Sequence, residues 1–416
     1  MTQPLHILIL ADGRSPTTQS WVRNLILLDF KVSLISTFYC EPLPDLENFH
    51  VLPIAFSQYA GDFSSQRQDQ KSEHGIKFIL KRRFMPKSET LQTIRYDLGP
   101  LDVQFKARIF KRLVKKIQPD LVHALRIPFE GMLARFTPGN LPLIVSTWGN
   151  DFTLHAPSSW LMRHGTRACL KRANGLTADA NRDIRLAHAW GLPESIPTLI
   201  IPGSGGVDLQ AIQASKSEPF NPAAHDLPSD NKLWVVNARG FRPGYVHNDI
   251  FFASIPLVIR AHPEVMFICP GLEGFIDPAW LEDPSAKENV VVLPKLPQNQ
   301  LWALFHRCPI FISPSSHDGT PNSLLEAMAC GCFPIAGDID SIREWIEPGI
   351  NGLLVNPQDP AALSDAIILA IESPSLRQAA SVHNLDLIKQ RAELQVNQVS
   401  LKQFYENLAG QKQMSL

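Results

Sequence analysis

The chain has 416 residues, 44% of them hydrophobic and 19% charged, a length that exceeds one compact core and suggests two domains of roughly 200 residues each. A formal net charge of −1 gives no global reason to expect nucleic acid. The charge is uneven, however: residues 1–203 carry 25 Lys+Arg against 17 Asp+Glu and the remainder 14 against 23, so the two halves are expected to meet different partners.

In chain order, LHILILA (5–11) reads as a first strand. It lacks the basic leader of a signal peptide and stops at Asp12-Gly13-Arg14. A helical stretch at 20–28 follows, then a strand at 32–37 and a loop-rich insertion through about residue 90, whose segment 61–75 is polar enough to be a loop. FKARIFKRLVKKI (105–117) places Phe105, Ile109, Leu113 and Ile117 at steps of four. That spacing predicts a buried stripe with a cationic back of Lys106, Arg108, Lys111, Arg112, Lys115 and Lys116, joined by KRRF (81–84). The back is either a solvated face or a surface for anionic lipid heads. Strands are expected at 120–125, 144–147, 176–180 and 198–203. After a polar linker over about 203–231 the rhythm restarts at 233–238, 265–271, 289–294, 310–316 and 333–337. Such strand–helix repetition implies parallel sheets covered by helices on both faces. The end, 385–408, puts Leu385, Ile388, Ala392, Val396, Val399 and Tyr405 near one face of a long helix that can cross back onto the first domain.

Three signals are negative. The six cysteines contain no C-x-x-C pair, which argues for reduced thiols in a cytoplasmic protein and against a zinc site or disulfide frame. No apolar run reaches the roughly 18 residues of a membrane span. GSGGVD (203–208) follows a strand, but the third glycine of a dinucleotide fingerprint would fall on Asp208, so nicotinamide binding is discounted.

The stretch HDGTPNSLLEAMACG (317–331) carries the chemistry. Ligands of parallel sheets bind beyond the carboxyl ends of strands, and the strand 310–316 runs straight into it. Asn322 or Ser323 can cap the following helix. Its first N–H groups, around Gly319, Thr320, Asn322, Ser323 and Leu324, suit a phosphate. Glu326 then accepts two hydroxyls, as from a ribose, and Asp318 the hydroxyls of a second sugar. The plainer alternative is a capping box and a turn.

Asp318-Gly-Thr-Pro-Asn-Ser-Leu-Leu-Glu326 resembles the acidic-x7-Glu signature of family 4 retaining glycosyltransferases, which have the two-domain GT-B fold. PDLVHALRIPFEG, LTADANRDIRLAHAWGLP, IPGSGGVDLQ and INGLLVNPQDPAALSDAI resemble further segments of that family along most of the chain. The resemblance implies that Asp318, where Glu is usual, contacts the donor sugar, and that Glu326 contacts the ribose. It implies that Arg239 of LWVVNARGFRPGY neutralises the leaving diphosphate. No Lys follows where the family has one, Val246 and His247 lying nearby, so Arg242 is the expected substitute. Gly13 stands at the phosphate loop, one glycine where the family often has two. On the acceptor side STWGNDF puts Trp148 where the family often has His, followed by Gly149 and Asp151. Asp151 either serves an acceptor hydroxyl or caps a turn. His123 ends a strand at the same edge.

The expected fold is therefore α/β of GT-B type, with an acceptor-side domain over 1–203 plus about 395–416 and a donor domain over 204–394. The expected function is retaining transfer of a hexose from a nucleotide-diphosphate-sugar to a sugar, lipid-linked or small-molecule acceptor, without metal or cofactor, in the cytoplasm or peripherally on the membrane's inner face. The alternatives are a nucleotide-sugar epimerase of the same fold and a non-catalytic nucleotide-sugar-binding protein.

Overall fold

A computed structural model describes residues 4–413 except 60–87, 226, 228–231 and 243; the loop expected at 61–75 and the KRRF run lie outside the described residues. The chain divides into two compact units. The first holds Met1–Ala178, Ile184–Leu199 and Lys402–Leu416, the second Asp179–Asp183 and Ile200–Leu401.

Among the described residues the first unit is built on seven strands: β1 (His6–Ala11), β2 (Lys31–Ser36), β3 (Asn48–Val51), β4 (Leu121–Ala124), β5 (Leu143–Thr147), β6 (Gly175–Ala178) and β7 (Thr198–Ile200), in the order 3-2-1-4-5-6-7. The β1–β2, β1–β4 and β5–β6 pairs are parallel. The second sheet has β8 (Trp234–Val236), β9 (Met266–Pro270), β10 (Val290–Leu293), β11 (Ile310–Ser313), β12 (Phe333–Gly337) and β13 (Leu353–Val355), ordered 10-9-8-11-12-13. Both orders are doubly wound, and the order reverses between β1 and β4 and between β8 and β11. A crevice opens at such a switch point beyond the strand ends. Continuous apolar runs such as Ile7–Leu10 and Ile310–Ile312 are fully buried, as strands covered on both faces require.

The helices that matter below are α1 (Pro16–Leu27), α2 (Ser88–Ile117), α3 (Trp160–Arg172), α4 (Asn181–Trp190), α5 (Asn248–Ala261), α6 (Gln298–Arg307), α7 (Asn322–Ala329), α8 (Pro360–Glu372), α9 (Pro374–Arg391) and α10 (Leu394–Gln413). Two differ from the expectation. The helix expected at 385–408 is broken between α9 and α10, because Val207 pairs with the chain there: its N–H donates to Ala392 O at 2.7 Å and its carbonyl accepts from Leu394 N at 2.9 Å. Gly206 (φ +118°) permits this, since a Cβ would meet Ala392 O at 2.7 Å. Val396 and Val399 consequently face solvent, while Leu401, Tyr405 and Leu408 are buried.

In α2 the buried row is Val103, Ala107, Phe110, Val114 and Ile117, at steps of four and three. Phe105, expected in the buried stripe, is 81% exposed and Ile109 is also exposed. Steps of four drift by about 40° each on a helix with 3.6 residues per turn, so four such residues cannot share one buried line. The cysteines form no disulfide. Among the described residues no helix is long and apolar enough to cross a membrane, and no cluster of His, Cys, Asp or Glu is placed to hold a metal ion.

Candidate donor site at the second switch point

At the carboxyl end of β8 the chain turns through Asn237–Tyr245; at that of β11 it runs through Pro314–Pro321 into α7. These neighbouring loops are fastened together. Ser316 N donates to Tyr245 O at 2.9 Å, His247 N to Pro314 O at 3.0 Å, and the His247 ring shares a 2.9 Å hydrogen bond with Ser316 Oγ. Asn248 Nδ2 at the start of α5 donates to Gly240 O at 3.0 Å, and Arg239 N donates to Asn237 Oδ1 at 3.2 Å.

Arg239 therefore emerges in a fixed direction. Its guanidinium donates to Ser323 Oγ at 3.1 Å and forms a close ion pair with the Asp318 carboxylate. Its Nε is buried and has no partner among the described residues. Burial pulls the guanidinium below its usual range and Asp318 pushes it back; a guanidinium stays charged in any case. Asp318 also accepts from Gly319 N at 3.1 Å, and its carbonyl accepts from Ser341 Oγ at 2.7 Å. Arg242 is exposed, with a 3.5 Å contact to Tyr245 Oη.

The start of α7 differs in detail from the expectation. Its N-cap position is Pro321, and no side chain caps it. Asn322, expected as a cap, instead accepts from Ser204 N at 2.9 Å and donates to Ser204 Oγ. Ser323, the other expected cap, is taken by Arg239. Gly203 (φ +59°) makes room: a Cβ there would lie 1.7 Å from Asn322 Oδ1. GSGGVD is thus a packing device beneath α7 and α10, which its fingerprint-like look hid. Thr320 is pinned from two sides, donating to Asp179 O at 2.8 Å and accepting from Trp345 Nε1 at 3.1 Å. Leu324 is core.

Glu326 is the fifth residue of α7, just past its first turn. It accepts from Gln298 Nε2 of α6 at 2.8 Å. Burial pushes its carboxyl up to about 7, against the pull of Gln298 and Trp302. A carboxyl that titrates near neutrality beside an uncapped helix start is the kind of perturbed group that marks a binding site. Gln298, Ser341 and Ser204 gave no sequence signal, because their role depends on neighbours far along the chain.

The first unit holds the remaining candidates. Gly13 sits in the turn after β1, with its N–H on Ser36 Oγ at 3.1 Å. A Cβ there would meet Cys40 Sγ at 2.6 Å, so packing against β2's loop by itself favours glycine. His123 is not at an exposed edge. It is fully buried beneath α1 and α10, bonded to Tyr405 Oη at 2.5 Å and Ser146 Oγ at 2.8 Å, and burial holds its imidazole down to about 3. Trp21 Nε1 donates to the same Tyr405 Oη at 3.1 Å, so His123 is a structural residue tying α10 to the sheet.

Asp151 is also buried. It accepts from the Arg126 guanidinium, Ile127 N and Trp148 N, each at 3.2 Å. Burial raises its carboxyl and Arg126 opposes the rise. The carboxylate thus holds the preceding backbone in place and does not cap the following turn, whose N-cap position is Asn150 with no side-chain bond. Trp148 is half-buried, with Arg126 5.9 Å from its ring centre, and Gly149 is buried with its carbonyl 3.4 Å from Thr153 Oγ1. Sequence reasoning missed Arg126, Glu130 and Arg95. Glu130 is buried, accepts from Thr37 Oγ1 at 2.7 Å, and is raised by burial against the pull of Arg126 and Arg95. Phe129 beside it has φ +64°, ψ −55°, a strained backbone region that clusters at functional sites.

Residues 6–180 match the family model described as glycosyl transferase 4-like, and residues 279–383 that of glycosyl transferases group 1; between them they cover well over half of the chain. Among curated proteins, the lipopolysaccharide core biosynthesis mannosyltransferase LpcC of Rhizobium leguminosarum bv. viciae is 26% identical over 212 residues, 49% of this chain and 59% of that protein. A D-inositol 3-phosphate glycosyltransferase of Streptosporangium roseum is 25% identical over 187 residues, 42% of each. The chain thus spans less than two thirds of the length of these relatives. Among solved structures, HepE of Anabaena in complex with UDP superposes with TM-score 0.69 at 14% identity, covering 97% of this chain and 100% of that one. Sucrose-phosphate synthase of Thermosynechococcus elongatus gives 0.69 at 15%, covering 97% and 99%. At such identity the likeness is one of fold.

Proposed function

This chain belongs to the family 4 (group 1) glycosyltransferases, of the GT-B fold, and on that premise we propose that it moves a hexose-type sugar from a nucleotide-diphosphate-sugar to a hydroxyl acceptor, with retention, in building a glycoconjugate. One observation carries the reading: Arg239, Ser323 and Asp318 form a single fastened network in front of the uncapped start of α7, with Glu326 one turn behind.

The free N–H groups at the start of α7 and the positive end of its dipole receive the diphosphate. Arg242, exposed at the rim, closes on it from outside. Arg239 adds charge from beneath, through the N–H groups that Asp318 and Ser323 leave over. Glu326, once ionised, accepts the two ribose hydroxyls. Asp318 keeps lone pairs for the donor sugar's hydroxyls while its bond to Arg239 holds it in place. The acceptor oxygen attacks the anomeric carbon on the face from which the diphosphate departs. The C–O bond to phosphate breaks as the new one forms, and the leaving phosphate oxygen takes the acceptor's proton. Preorganised cations and N–H groups stabilise the charge that develops on that oxygen. Metal and cofactor have no part in this route, and turnover is expected to be indifferent to chelator.

The test is purified protein with a panel of nucleotide-diphosphate-sugars and acceptors, following nucleoside diphosphate release and the anomeric configuration of the product by NMR. Acceptor-dependent release with a retained configuration is expected. Free epimer formed from donor alone would transfer the site to epimerase chemistry, and tight donor binding without product to a non-catalytic role.

A further inference from the structure

The outward face of α2 has a pattern that the glycosyl-transfer site does not use. Ile94, Leu98, Leu101, Phe105 and Ile109 are all at least 39% exposed. Their spacing of four, three, four and four keeps them within an arc of roughly 80° over about 22 Å of helix. The buried row Val103–Ala107–Phe110–Val114–Ile117 lies on the opposite side. The helix is therefore apolar along two opposed lines, of which only one has a protein partner among the described residues. The exposed line continues toward the C-terminus as Arg108, Arg112, Lys115 and Lys116, on the same side and all exposed. Among the described residues none of these four pairs with an acid. Of the three acids on the helix, Glu89 precedes the apolar row in sequence, Asp102 is spent on Ala55 N at 2.8 Å, and Asp97 stands at the flank.

We propose that this face of α2 docks on an anionic lipid bilayer, its apolar row sinking into the acyl boundary and its cationic end resting on the headgroups. An apolar ridge one helix wide suits a soft interface. The cations give the charge complementarity that an anionic leaflet supplies. A second copy of the chain is the poorer occupant, because it would bring two basic surfaces together: residues 1–203 carry 25 Lys+Arg against 17 Asp+Glu.

The test is co-sedimentation of the full chain with vesicles of phosphatidylcholine alone or mixed with phosphatidylglycerol, at low and high salt. The chain is expected to pellet with the mixed vesicles and to be released by salt. Leu98→Glu with Phe105→Glu should lower the partition by roughly a hundredfold, about tenfold for each apolar anchor. Arg112→Glu with Lys116→Glu should lower it by at least about twenty-fivefold, some fivefold per cation lost. All four positions are exposed, so melting temperatures should not move. Failure of the chain to bind mixed vesicles, or equal binding by both double variants, would overturn the proposal. So would a dimer in light scattering that Phe105→Glu splits, which would give the face to a second copy.

Discussion

The two sheets share one winding order, and each has a switch point, yet the residues placed there behave differently. In the second unit the carboxylate Asp318 and the cation Arg239 meet at the loop edge, before a helix whose first N–H groups no side chain covers. In the first unit the carboxylate Asp151 is also paired with an arginine, Arg126, but it is sealed in and spends its lone pairs on two backbone N–H groups. The same pair of groups thus stands before open helix N–H groups in one place and serves the local backbone in the other. The difference lies in what surrounds the pair, which a motif does not record.

Removing charge from each pair separates the two cases. Arg239→Ala takes away diphosphate charge and leaves Asp318 without its cation, so donor affinity should fall by roughly a hundredfold or more in calorimetric titration. An unchanged affinity would detach Arg239 from the site. Glu326→Ala removes two hydrogen bonds to a charged group and should weaken donor binding by tens of fold.

The pH dependence sharpens this second prediction. The Glu326 carboxyl, raised to about 7 by burial, is protonated below that pH in the free protein, while ribose hydroxyls favour the ionised form. Affinity for a nucleotide-diphosphate-sugar should be flat above pH 7 and fall by up to about tenfold per unit below it. Glu326→Gln should flatten the profile. A wild-type profile without a break near neutrality would contradict the assignment.

Asp151→Asn should act in the opposite sense: a loss of about 1–3 kcal/mol in urea unfolding, with kcat/KM changed by less than about threefold. Lost turnover at full stability would make Asp151 a reacting group after all. His123 should leave donor affinity unchanged and act on acid stability alone. Its folded-state pKa is depressed to about 3, so the stability it lends is complete above its unfolded value of about 6.5. That stability drains by up to about 1.4 kcal/mol per unit as pH falls toward 3. His155, also held near 3 by burial with Arg126 and Arg95 opposing its charge, adds to the same slope. His123→Gln should remove close to one proton's worth of it in denaturation midpoints measured across that range.

The second site was legible because its parts are contiguous: a strand, an acid, a small-residue turn and a helix lie within 310–329, and Arg239 lies in the loop that follows the adjacent strand. The parallel strand rhythm was legible for the same reason. What was not legible depended on distant partners. Asn322 reads as a cap until Ser204 is seen to claim it, and the last helix reads as continuous until Val207 is seen to interrupt it. His123 reads as an edge residue until Tyr405, far along the chain, covers it. The stripe on α2 failed on arithmetic: equal steps of four align on paper, while the helix turns by 3.6.

The most direct measurement is a crystal structure with UDP or GDP bound. The diphosphate should lie on the N–H groups of Asn322 and Ser323, with Arg239 and Arg242 upon it and both ribose hydroxyls on Glu326. A diphosphate lodged away from the start of α7, with Glu326 still bonded only to Gln298, would contradict it.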